Sequence, residues 1–154
     1  MSRVQLALNV SDLDAAVEFY TKLFAAAPAK RRPGYANFAI ADPPLKLVLI
    51  EGVGAPGTLN HLGVEVATTD EVATADARLR DAGLTCATEE QVSCCYALQD
   101  KVWVDAPDGE PWEIYTVLAD EVADAVADAR PDGDAPAGET SCCDAAPESA
   151  ARCC

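Results

Sequence analysis

The chain has 154 residues, half of them apolar, and its mean hydropathy is close to zero, which predicts one folded domain whose core needs no disulfide bonds. The formal net charge of −15 argues against binding to nucleic acid or to anionic membrane surfaces. No apolar run has the length of a membrane span, and the N-terminus lacks the apolar segment of a secretory signal, so the sequence predicts a cytoplasmic protein.

The first half of the chain predicts a strand, a helix and two further strands. Residues 4–10 form a short apolar segment with β-branched ends, which is typical of a strand. Ser11 is the expected N-cap of the helix, and Pro28 is the expected stop. Between them, apolar residues recur at steps of three and four, as on one face of a helix. The two further strands are expected at residues 35–40 and 45–50.

After a Gly- and Pro-rich linker at residues 52–57, the same order of elements returns. A strand is expected at residues 59–66, followed by a helix that begins after Thr68 or Thr69 and ends at Gly83. Three more strands are expected at residues 84–87, 101–105 and 112–117.

The repeat is visible in register as well as in element order, because residues 5–10 align with residues 61–66. Two βαβββ modules, at about residues 3–52 and 58–118, are each too small to bury a sheet alone. They predict an α+β fold in which both modules form one curved mixed sheet, a half-barrel, around a metal site. The short linker permits the modules to pair within one chain or between two, so both a monomer and a homodimer are compatible with the sequence.

The composition changes from about residue 119, where Ala, Asp, Pro and Gly replace the large apolar residues. The folded domain is therefore expected to span residues 1–118. Residues 119–154 are expected to form an acidic, largely disordered tail with a short helical extension at residues 121–129. This tail carries two Cys-Cys doublets, Cys142-Cys143 and Cys153-Cys154.

Six of the seven cysteines occur in adjacent pairs. A secreted disulfide scaffold spaces its cysteines so that each bridge closes a useful loop. Doublets in a reducing compartment indicate thiolate ligands for a soft centre such as trivalent arsenic, Cd(II), Zn(II) or Cu(I). Reduced thiols without a function are the alternative.

The doublet in the folded part is Cys94-Cys95. Neighbouring residues of a regular strand point to opposite faces, so two sulfurs that bind one atom must lie on a loop or bulge, and the polar residues 88–101 predict such a loop. A trivalent organoarsenical keeps one carbon bond and has two exchangeable ligands, so two thiols saturate it. Arsenite or Cd(II) would need more sulfur, and Cys86 is the only other cysteine of the folded part. The alternative is that the doublet provides two small buried apolar side chains.

His61 is the single histidine, and a lone histidine is more often a packed or surface residue than a ligand. However, His61 is predicted on the first strand of the second module, Gln5 holds the equivalent place in the first module, and Glu113 is on the last strand. Side chains on one face of a curved sheet converge, so these three could form a site for Fe(II) or another divalent first-row ion with open positions. For Glu113 the alternative is a solvated carboxylate on an edge strand.

Several motifs carry a resemblance to a known family. The stretch Leu-Asn-Val-Ser-Asp-Leu-Asp-Ala-Ala-Val-Glu-Phe-Tyr at residues 8–20 resembles the first strand and helix of the vicinal-oxygen-chelate superfamily of glyoxalases, extradiol dioxygenases and bleomycin-resistance proteins. Asn60-His61-Leu62-Gly63, Ser93-Cys94-Cys95-Tyr96 and Pro111-Trp112-Glu113 resemble the ArsI/CadI group, whose best-defined members are carbon–arsenic lyases. The resemblance covers about residues 3–118. Relatives often carry histidine on the first strand, where this chain has Gln5.

The resemblance implies Fe(II)- and O2-dependent cleavage of the carbon–arsenic bond in trivalent organoarsenicals, such as methylarsenite or reduced aromatic arsenicals, with release of arsenite. It implies that Gln5, His61 and Glu113 hold the metal and that Cys94 and Cys95 hold the arsenic. The loop is then expected to open for the substrate and to close for delivery. Two other functions are compatible with the sequence: a non-catalytic protein that binds cadmium or arsenite, and a glyoxalase or thiol transferase of the same fold. The sequence does not rank aliphatic against aromatic substrates.

Overall fold

The computed structural model describes residues 2–94 and 96–120. The expectations for Cys95, for the helical extension at residues 121–129 and for the cysteines of the tail lie outside the described residues. The elements are β1 (Arg3–Val10), α1 (Leu13–Phe24), β2 (Lys30–Arg32), β3 (Tyr35–Ile40), β4 (Leu45–Glu51), β5 (Leu59–Glu65), α2 (Thr69–Asp81), β6 (Cys86–Cys94), β7 (Ala97–Asp105) and β8 (Pro111–Asp120). No helix of the described part is both long and apolar enough to cross a membrane.

All eight strands belong to one sheet in the order β2-β3-β4-β1-β5-β8-β7-β6. Each module supplies four adjacent strands, and the modules join where β1 pairs antiparallel with β5. Within each module the first and last strands are parallel neighbours, β1 with β4 and β5 with β8. The predicted α+β fold of two βαβββ modules, forming a half-barrel, is confirmed, and the modules pair within a single chain.

The two helices pack on one face of the sheet, and we call the opposite, concave face the trough. On the helix side of the first module, Leu13 and Val17 of α1 contact Phe38, Leu47 and other apolar strand residues. On the helix side of the second module, Val72 and Leu79 of α2 form a core with Val102. Alternate strand residues point the other way, so the trough is lined by the other half of each strand. Both helices therefore support the sheet from behind and leave the trough open for a site.

Helix α2 begins as predicted, whereas α1 does not. The N-cap of α1 is Asp12, not Ser11, because the Asp12 carboxylate accepts from the Ala15 amide at 2.9 Å. Helix α1 also ends at Phe24, well before Pro28. In α2, Thr68 forms a full capping box with Glu71. Gly83, the predicted stop of α2, follows the helix with a φ of 83°.

The loop predicted at residues 88–101 is wrong. Strand β6 continues to Cys94 and β7 begins at Ala97, so this segment is a β-hairpin, and Tyr96 lies in its turn. Strand β6 lies at the edge of the sheet and is largely exposed, so its polar residues resemble a loop in sequence. The short edge strand β2, which consists of three basic residues, was missed for the same reason.

Strand β8 extends beyond the predicted end of the folded domain. It runs to Asp120, and its last residues pair with the start of β7, Ala97 with Asp120 and Leu98 with Ala119. The change of composition at residue 119 therefore precedes the end of the strand.

Candidate metal and substrate site

Gln5, His61 and Glu113 lie on three neighbouring strands, β1, β5 and β8. In the strand register Gln5 is opposite Gly63, and Gly63 is in turn opposite Glu113. A side chain at Gly63 would place its Cβ 3.0 Å from Glu113 Cγ and 3.3 Å from Gln5 Cβ. The missing side chain of Gly63 therefore leaves the space in which Gln5 and Glu113 approach each other.

The polar ends of these three side chains meet in the buried floor of the trough. Gln5 Nε2 lies 2.6 Å from Glu113 Oε1 and 2.9 Å from His61 Nε2. His61 Nε2 lies 3.4 Å from Glu113 Oε1. Each of the three residues is at most 3% exposed. The structure thus brings together the three side chains that the sequence places on separate strands.

A chain of hydrogen bonds fixes which nitrogen of His61 carries the proton. It ends at the Ala55 carbonyl, which can only accept, and which receives the Thr58 hydroxyl at 2.6 Å. Thr58 Oγ1 consequently accepts from Asn9 Nδ2 at 2.9 Å. Asn9 Oδ1 then accepts from Asn60 Nδ2 at 2.9 Å, so Asn60 Oδ1 faces His61 Nδ1 at 2.7 Å. Because Asn60 presents an acceptor there, Nδ1 is the protonated nitrogen of His61.

This tautomer prepares His61 for binding a metal ion. With the proton on Nδ1, the lone pair of Nε2 faces Gln5 and Glu113. A histidine that ligates a metal through one nitrogen usually donates its other N–H to a fixed acceptor, which orients the ring. Here the acceptor is Asn60 Oδ1, and the edge of the His61 ring also packs against Trp103 with the ring centroids 5.6 Å apart.

Glu113 is held as a carboxylate by a buried partner. Lys101 Nζ donates to Glu113 Oε2 at 3.0 Å, and both side chains are almost fully buried. Burial raises the pKa of Glu113, the buried Lys101 ammonium lowers it, and in the folded chain that pKa lies below its ordinary value. Burial lowers the pKa of Lys101, but the Glu113 carboxylate together with other acidic groups nearby raises that pKa above its ordinary value. Oxygen Oε2 of Glu113 is thus tied to Lys101, and Oε1 faces the site.

The donor set fits a divalent metal ion in type and in spacing. An octahedral ion with ligands about 2.1 Å away keeps neighbouring ligands roughly 3 Å apart, and the three polar ends are 2.6 to 3.4 Å apart. Imidazole and carboxylate both suit first-row ions. Gln5 turns its amide nitrogen inward, and only its carbonyl oxygen could bind a metal. Among the described residues no group of three or more His, Cys, Asp and Glu side chains is arranged to hold a metal ion.

Lys101 and Tyr115 support the site, and the sequence did not single them out. The Tyr115 hydroxyl lies 2.5 Å from Gln5 Oε1 and 3.0 Å from Glu65 Oε2. Tyr115 follows Glu113 by two residues, so both face the trough, and Lys101 pairs with Tyr115 in the register of β7 and β8. This alternation along the two strands is the sequence signal that could have identified both residues.

Cys94 faces the trough. It ends β6 and pairs with Ala97, which lines the trough, and paired residues of antiparallel strands share a face. Burial raises the pKa of Tyr35 to about 12, and the thiolate form of Cys94 acts in the same direction. The charge of Cys94 also adds to that of Glu113 in raising the pKa of Lys101 against the effect of burial. Cys94 therefore lies within electrostatic reach of the lysine that holds Glu113.

Cys86 lies on the other side of the sheet. It packs against the core under α2 that includes Val72 and Val102. It is also at the far end of β6, whose nine residues span on the order of 26 Å. Cys86 and Cys94 therefore cannot bind the same atom.

The tip of the β6–β7 hairpin crosses the trough and contacts the first module. Tyr96, in the turn, has a φ of 62° and packs its ring on Tyr35 with the centroids 5.8 Å apart. Its carbonyl accepts from Lys30 Nζ at 3.1 Å, and its hydroxyl donates to the Pro33 carbonyl at 3.4 Å. Cys94 of the predicted doublet is thus the last residue of β6, and Cys95 lies outside the described residues.

A cavity of about 190 Å³ lies at the end of the trough between the two modules. Its walls include Tyr35, Asn37 and Lys46 from the first module and Ala97 and Gln99 from the second. Because one water molecule occupies roughly 30 Å³ in the liquid, the cavity has room for a small molecule beside Ala97, the register partner of Cys94. Gln99 Oε1 is buried and has no hydrogen-bond partner among the described residues, so it can accept from such a molecule.

Comparisons with known proteins point to one family. The family model of the glyoxalase/bleomycin resistance protein/dioxygenase superfamily matches residues 3–114. The chain is similar to the cadmium-induced protein CadI of Mycobacterium tuberculosis H37Rv, with 67% identity over 120 residues, which is 78% of this chain and 79% of the relative. It is also similar to the trivalent organoarsenical cleaving enzyme of Thermomonospora curvata, with 62% identity over 121 residues, which is 78% of this chain and 80% of the relative.

A solved structure agrees with this assignment at the level of the fold. The Mn(II)-bound glyoxalase from Novosphingobium aromaticivorans is similar with a TM-score of 0.55 and 19% sequence identity. The match covers 82% of this chain and 44% of that one. That glyoxalase holds a divalent first-row ion on the same fold.

Proposed function

Since the chain belongs to the glyoxalase/bleomycin resistance protein/dioxygenase superfamily, we propose that it is a non-haem Fe(II)-dependent enzyme that uses O2 to cleave the carbon–arsenic bond of trivalent organoarsenicals. Arsenite is released and O2 oxidises the carbon that leaves arsenic, so that CH3As(OH)2 and O2 give As(OH)3 and formaldehyde. The substrates are methylarsenite and reduced aromatic arsenicals. The reaction removes the organic group from a toxic arsenical and so belongs to arsenical detoxification.

One observation carries this proposal. The polar ends of Gln5, His61 and Glu113 converge to within 2.6 to 3.4 Å on the face of the sheet to which Cys94 also turns. A three-point metal site leaves coordination positions open for other molecules. A thiol on the same face can bind a soft atom such as arsenic. Side chains suited to binding a metal ion and a side chain suited to binding arsenic therefore lie in the same trough.

Fe(II) bound at this site supplies the activation of O2 that bond cleavage needs. The chain contributes the surroundings. The hydrogen-bonded chain through Asn60 presents the lone pair of His61 Nε2, and Lys101 keeps Glu113 charged and oriented. Because these groups are buried, water is largely kept from them and their electrostatic interactions are strong.

The arsenic is held by Cys94 and Cys95. Both thiols replace the exchangeable ligands of R–As(OH)2, and the carbon substituent stays attached and can point along the trough. The position of Cys86 supports a substrate of this type, because Cys86 packs on the helix side and cannot supply a third sulfur. Within the folded part, the available sulfur thus matches an atom with two exchangeable ligands.

We also propose that the hairpin tip moves to admit and deliver the substrate. Among the described residues, its contacts with the first module include the Lys30 amine on the Tyr96 carbonyl, the Tyr96 hydroxyl on the Pro33 carbonyl, and a ring contact with Tyr35. Tyr96 is 37% exposed, and partly exposed turns are typical of segments that open locally.

Binding of cadmium or arsenite without catalysis is the second candidate function. It is favoured by the 67% identity to a protein named for its induction by cadmium. Cd(II) and arsenite need more than two sulfurs, and the separation of Cys86 from Cys94 argues against such a site in the described part of the chain. A glyoxalase or thiol transferase remains a third candidate, for which the doublet is incidental.

Turnover of methylarsenite by the Fe(II)-loaded protein in air separates these functions. The chain offers matched variants, since Cys94→Ser and Cys95→Ser remove the proposed grip, while Cys86→Ser removes a sulfur on the other side of the sheet. His61→Ala removes a proposed metal ligand. We expect arsenite release by the wild type and by Cys86→Ser, and no release by the other three variants.

Two results would contradict the proposal. If Cys94→Ser and Cys95→Ser release arsenite as fast as the wild type, the doublet does not hold the substrate. If the wild type binds methylarsenite or Cd(II) tightly but releases no arsenite, and if His61→Ala binds equally well, the protein is a binding protein.

A further inference from the structure

We propose that Tyr115 makes the Gln5 amide a cation-dependent switch. Without a metal ion the amide nitrogen faces His61 and Glu113; with a metal ion the amide turns over, its oxygen faces the ion, and its nitrogen donates to Tyr115. Glu65 completes the switch by accepting the hydrogen bond that the Tyr115 hydroxyl donates. This inference rests on the proposed function only in taking Gln5, His61 and Glu113 as the metal site, and it does not depend on the arsenical chemistry.

The present orientation of the Gln5 amide places its nitrogen, a hydrogen-bond donor, opposite two hydrogen-bond acceptors. Gln5 Nε2 has two N–H groups, and they point at Glu113 Oε1 at 2.6 Å and His61 Nε2 at 2.9 Å. Glu113 is a carboxylate, and His61 carries its proton on Nδ1, so neither can donate. If Gln5 Oε1 faced inward instead, three acceptors would meet with no proton between them. In the metal-free protein the Gln5 amide nitrogen therefore supplies the hydrogen atoms that the two acceptors need, at the position where a cation would bind.

This direction leaves a conflict on the other side of the amide. Gln5 Oε1 lies 2.5 Å from the Tyr115 hydroxyl, and that hydroxyl is also 3.0 Å from Glu65 Oε2. Glu65 is a charged acceptor, because Arg3 donates to both of its oxygens at 3.0 and 3.2 Å and Lys46 lies 3.3 Å from Oε2. Tyr115 has a single proton for two acceptors. One of its two contacts therefore has no hydrogen.

Turning the amide by half a turn resolves this conflict. The oxygen and the nitrogen of a glutamine amide are nearly equal in size and shape, so they exchange places without repacking. Gln5 Nε2 then donates to the Tyr115 oxygen, and Tyr115 donates its proton to Glu65. Gln5 Oε1 faces His61 and Glu113, and that arrangement of three acceptors is stable only around a cation. Both sides of the amide are satisfied when a metal ion is bound.

Tyr115 consequently acts as a positioning residue for the metal ligand Gln5. In the metal-free state both Gln5 and Glu65 can accept the single proton of the Tyr115 hydroxyl. The hydrogen bond from Tyr115 to Gln5 therefore contributes little to the stability of that state. In the metal-bound state the bond from Gln5 to Tyr115 is fully formed and is strengthened by the onward bond to Glu65. Removing the hydroxyl therefore costs the metal-bound state more than the metal-free state. Residues that support a metal ligand in this way typically change metal affinity by about 10- to 100-fold.

The experiment uses Zn(II) as a diamagnetic probe and the full chain, with the six doublet cysteines changed to serine in every protein compared, because their thiols also bind Zn(II). Nuclear Overhauser contacts of the Gln5 side-chain amide protons report the direction of the amide. Because His61 is the only histidine of the chain, its ring signals are unambiguous. We expect contacts from the Gln5 amide to the His61 ring before Zn(II) is added, and contacts to the Tyr115 ring in their place afterwards.

The affinity for Zn(II) provides the second readout. Tyr115→Phe is expected to weaken Zn(II) binding about tenfold. In this variant the contacts of the Gln5 amide should no longer change fully from the His61 ring to the ring of residue 115 when Zn(II) is added. Tyr35→Phe is the matched control, since Tyr35 is a buried tyrosine of the same face whose hydroxyl accepts from Asn37 at 2.9 Å and does not touch Gln5. We expect Tyr35→Phe to bind Zn(II) like the wild type.

The outcomes separate this inference from the proposed function. Identical amide contacts with and without Zn(II), or equal Zn(II) affinities of Tyr115→Phe and Tyr35→Phe, overturn the switch. In that case arsenite release by the Fe(II)-loaded wild type would still stand as a test of the enzyme. A wild type that takes up no Zn(II) overturns the switch and the proposed metal site together.

Discussion

Gln5 and Glu113 touch although a whole strand lies between them. Strand β5 separates β1 from β8, so their backbones are about 9.5 Å apart, yet Gln5 Nε2 lies 2.6 Å from Glu113 Oε1. The contact passes over Gly63, which is opposite both residues in the register. A glycine on the strand between them is the condition for this contact.

The first prediction concerns the space that Gly63 leaves between Gln5 and Glu113. Gly63→Ala adds a Cβ 3.0 Å from Glu113 Cγ and 3.3 Å from Gln5 Cβ, so these two side chains must separate. With the six doublet cysteines changed to serine in both proteins, so that thiols do not bind the ion, we expect Zn(II) or Co(II) affinity to fall at least tenfold, which is the scale for a disturbed ligand geometry. Isothermal titration measures the affinity, and circular dichroism checks that the variant is folded. A folded Gly63→Ala variant with wild-type affinity would contradict this role of Gly63.

The second prediction concerns the tautomer of His61. Thr58→Val removes the hydroxyl that accepts from Asn9, and the two asparagine amides of the chain are then free to turn over. We expect part of the His61 population to move its proton from Nδ1 to Nε2, with weaker metal binding. Nitrogen-15 chemical shifts of the single histidine report the tautomer directly.

The control for this experiment is Thr74→Val, because the Thr74 hydroxyl donates to the Asp70 carbonyl within α2, far from His61. The control is expected to show the wild-type tautomer. An unchanged Nδ1-protonated His61 in Thr58→Val would show that the hydrogen-bonded chain does not set the tautomer.

The third prediction concerns Lys101 and pH. Lys101→Met leaves the Glu113 carboxylate buried without its cation, so the free energy of unfolding of the metal-free protein at neutral pH should fall by roughly 3–5 kcal/mol. The pKa of Glu113 is lowered in the folded wild type. Its stabilising effect is therefore present above the pKa of the unfolded chain and is lost as pH falls through the lower folded pKa.

In Lys101→Met the pKa of Glu113 rises, so Glu113 takes up its proton at a higher pH than in the wild type. The difference in unfolding free energy between the two proteins should therefore shrink as pH falls below the ordinary carboxyl range. Urea unfolding at several pH values measures this difference, with the exposed Lys22→Met as the control. A difference that does not depend on pH would mean that Glu113 is not the group stabilised by Lys101.

The fourth prediction concerns the hairpin tip. Lys30 donates to the Tyr96 carbonyl and also pairs with Asp120 at the end of β8. Lys30→Met removes both contacts and should increase amide hydrogen exchange at residues 93–97, while Lys22→Met should not. Hydrogen exchange followed by mass spectrometry measures this. Equal protection in both variants would show that Lys30 does not hold the tip.

The fifth prediction concerns the tail. Truncation after Asp120 should leave arsenite release intact, because the described fold is then complete. Truncation after Val117 removes the residues that pair with Ala97 and Leu98 at the start of β7, so it should loosen the hairpin and slow turnover. Turnover rates of the two truncated proteins test this. Loss of turnover in the longer form would assign a catalytic role to the tail.

The order of the elements and the convergence on His61 could be predicted because they depend on local pattern and on the repeat. Alternating apolar residues predict the strands, and the alignment of Gln5 with His61 predicts equivalent positions in two modules. A curved sheet then brings same-face residues of β1, β5 and β8 together. These inferences need only the periodicity of apolar residues along the chain and the handedness of the connections between parallel strands.

The support of the site could not be predicted, because it depends on which strands become neighbours. Tyr115 reaches both Gln5 and Glu65 only through the pairing of β8 with β5 and of β5 with β1. The hairpin was missed for a different reason. The residues of β6 are polar because the strand lies at an edge, and a polar edge strand has the composition of a loop.

Arsenite release under air and under argon tests the central proposal most directly. Fe(II)-loaded protein is mixed with methylarsenite, and arsenic species are separated and counted over time. The proposal predicts arsenite in amounts that exceed the protein in air, and none under argon, without iron or with His61→Ala. Methylarsenite that stays bound and intact in air, or arsenite formed equally under argon, would contradict it.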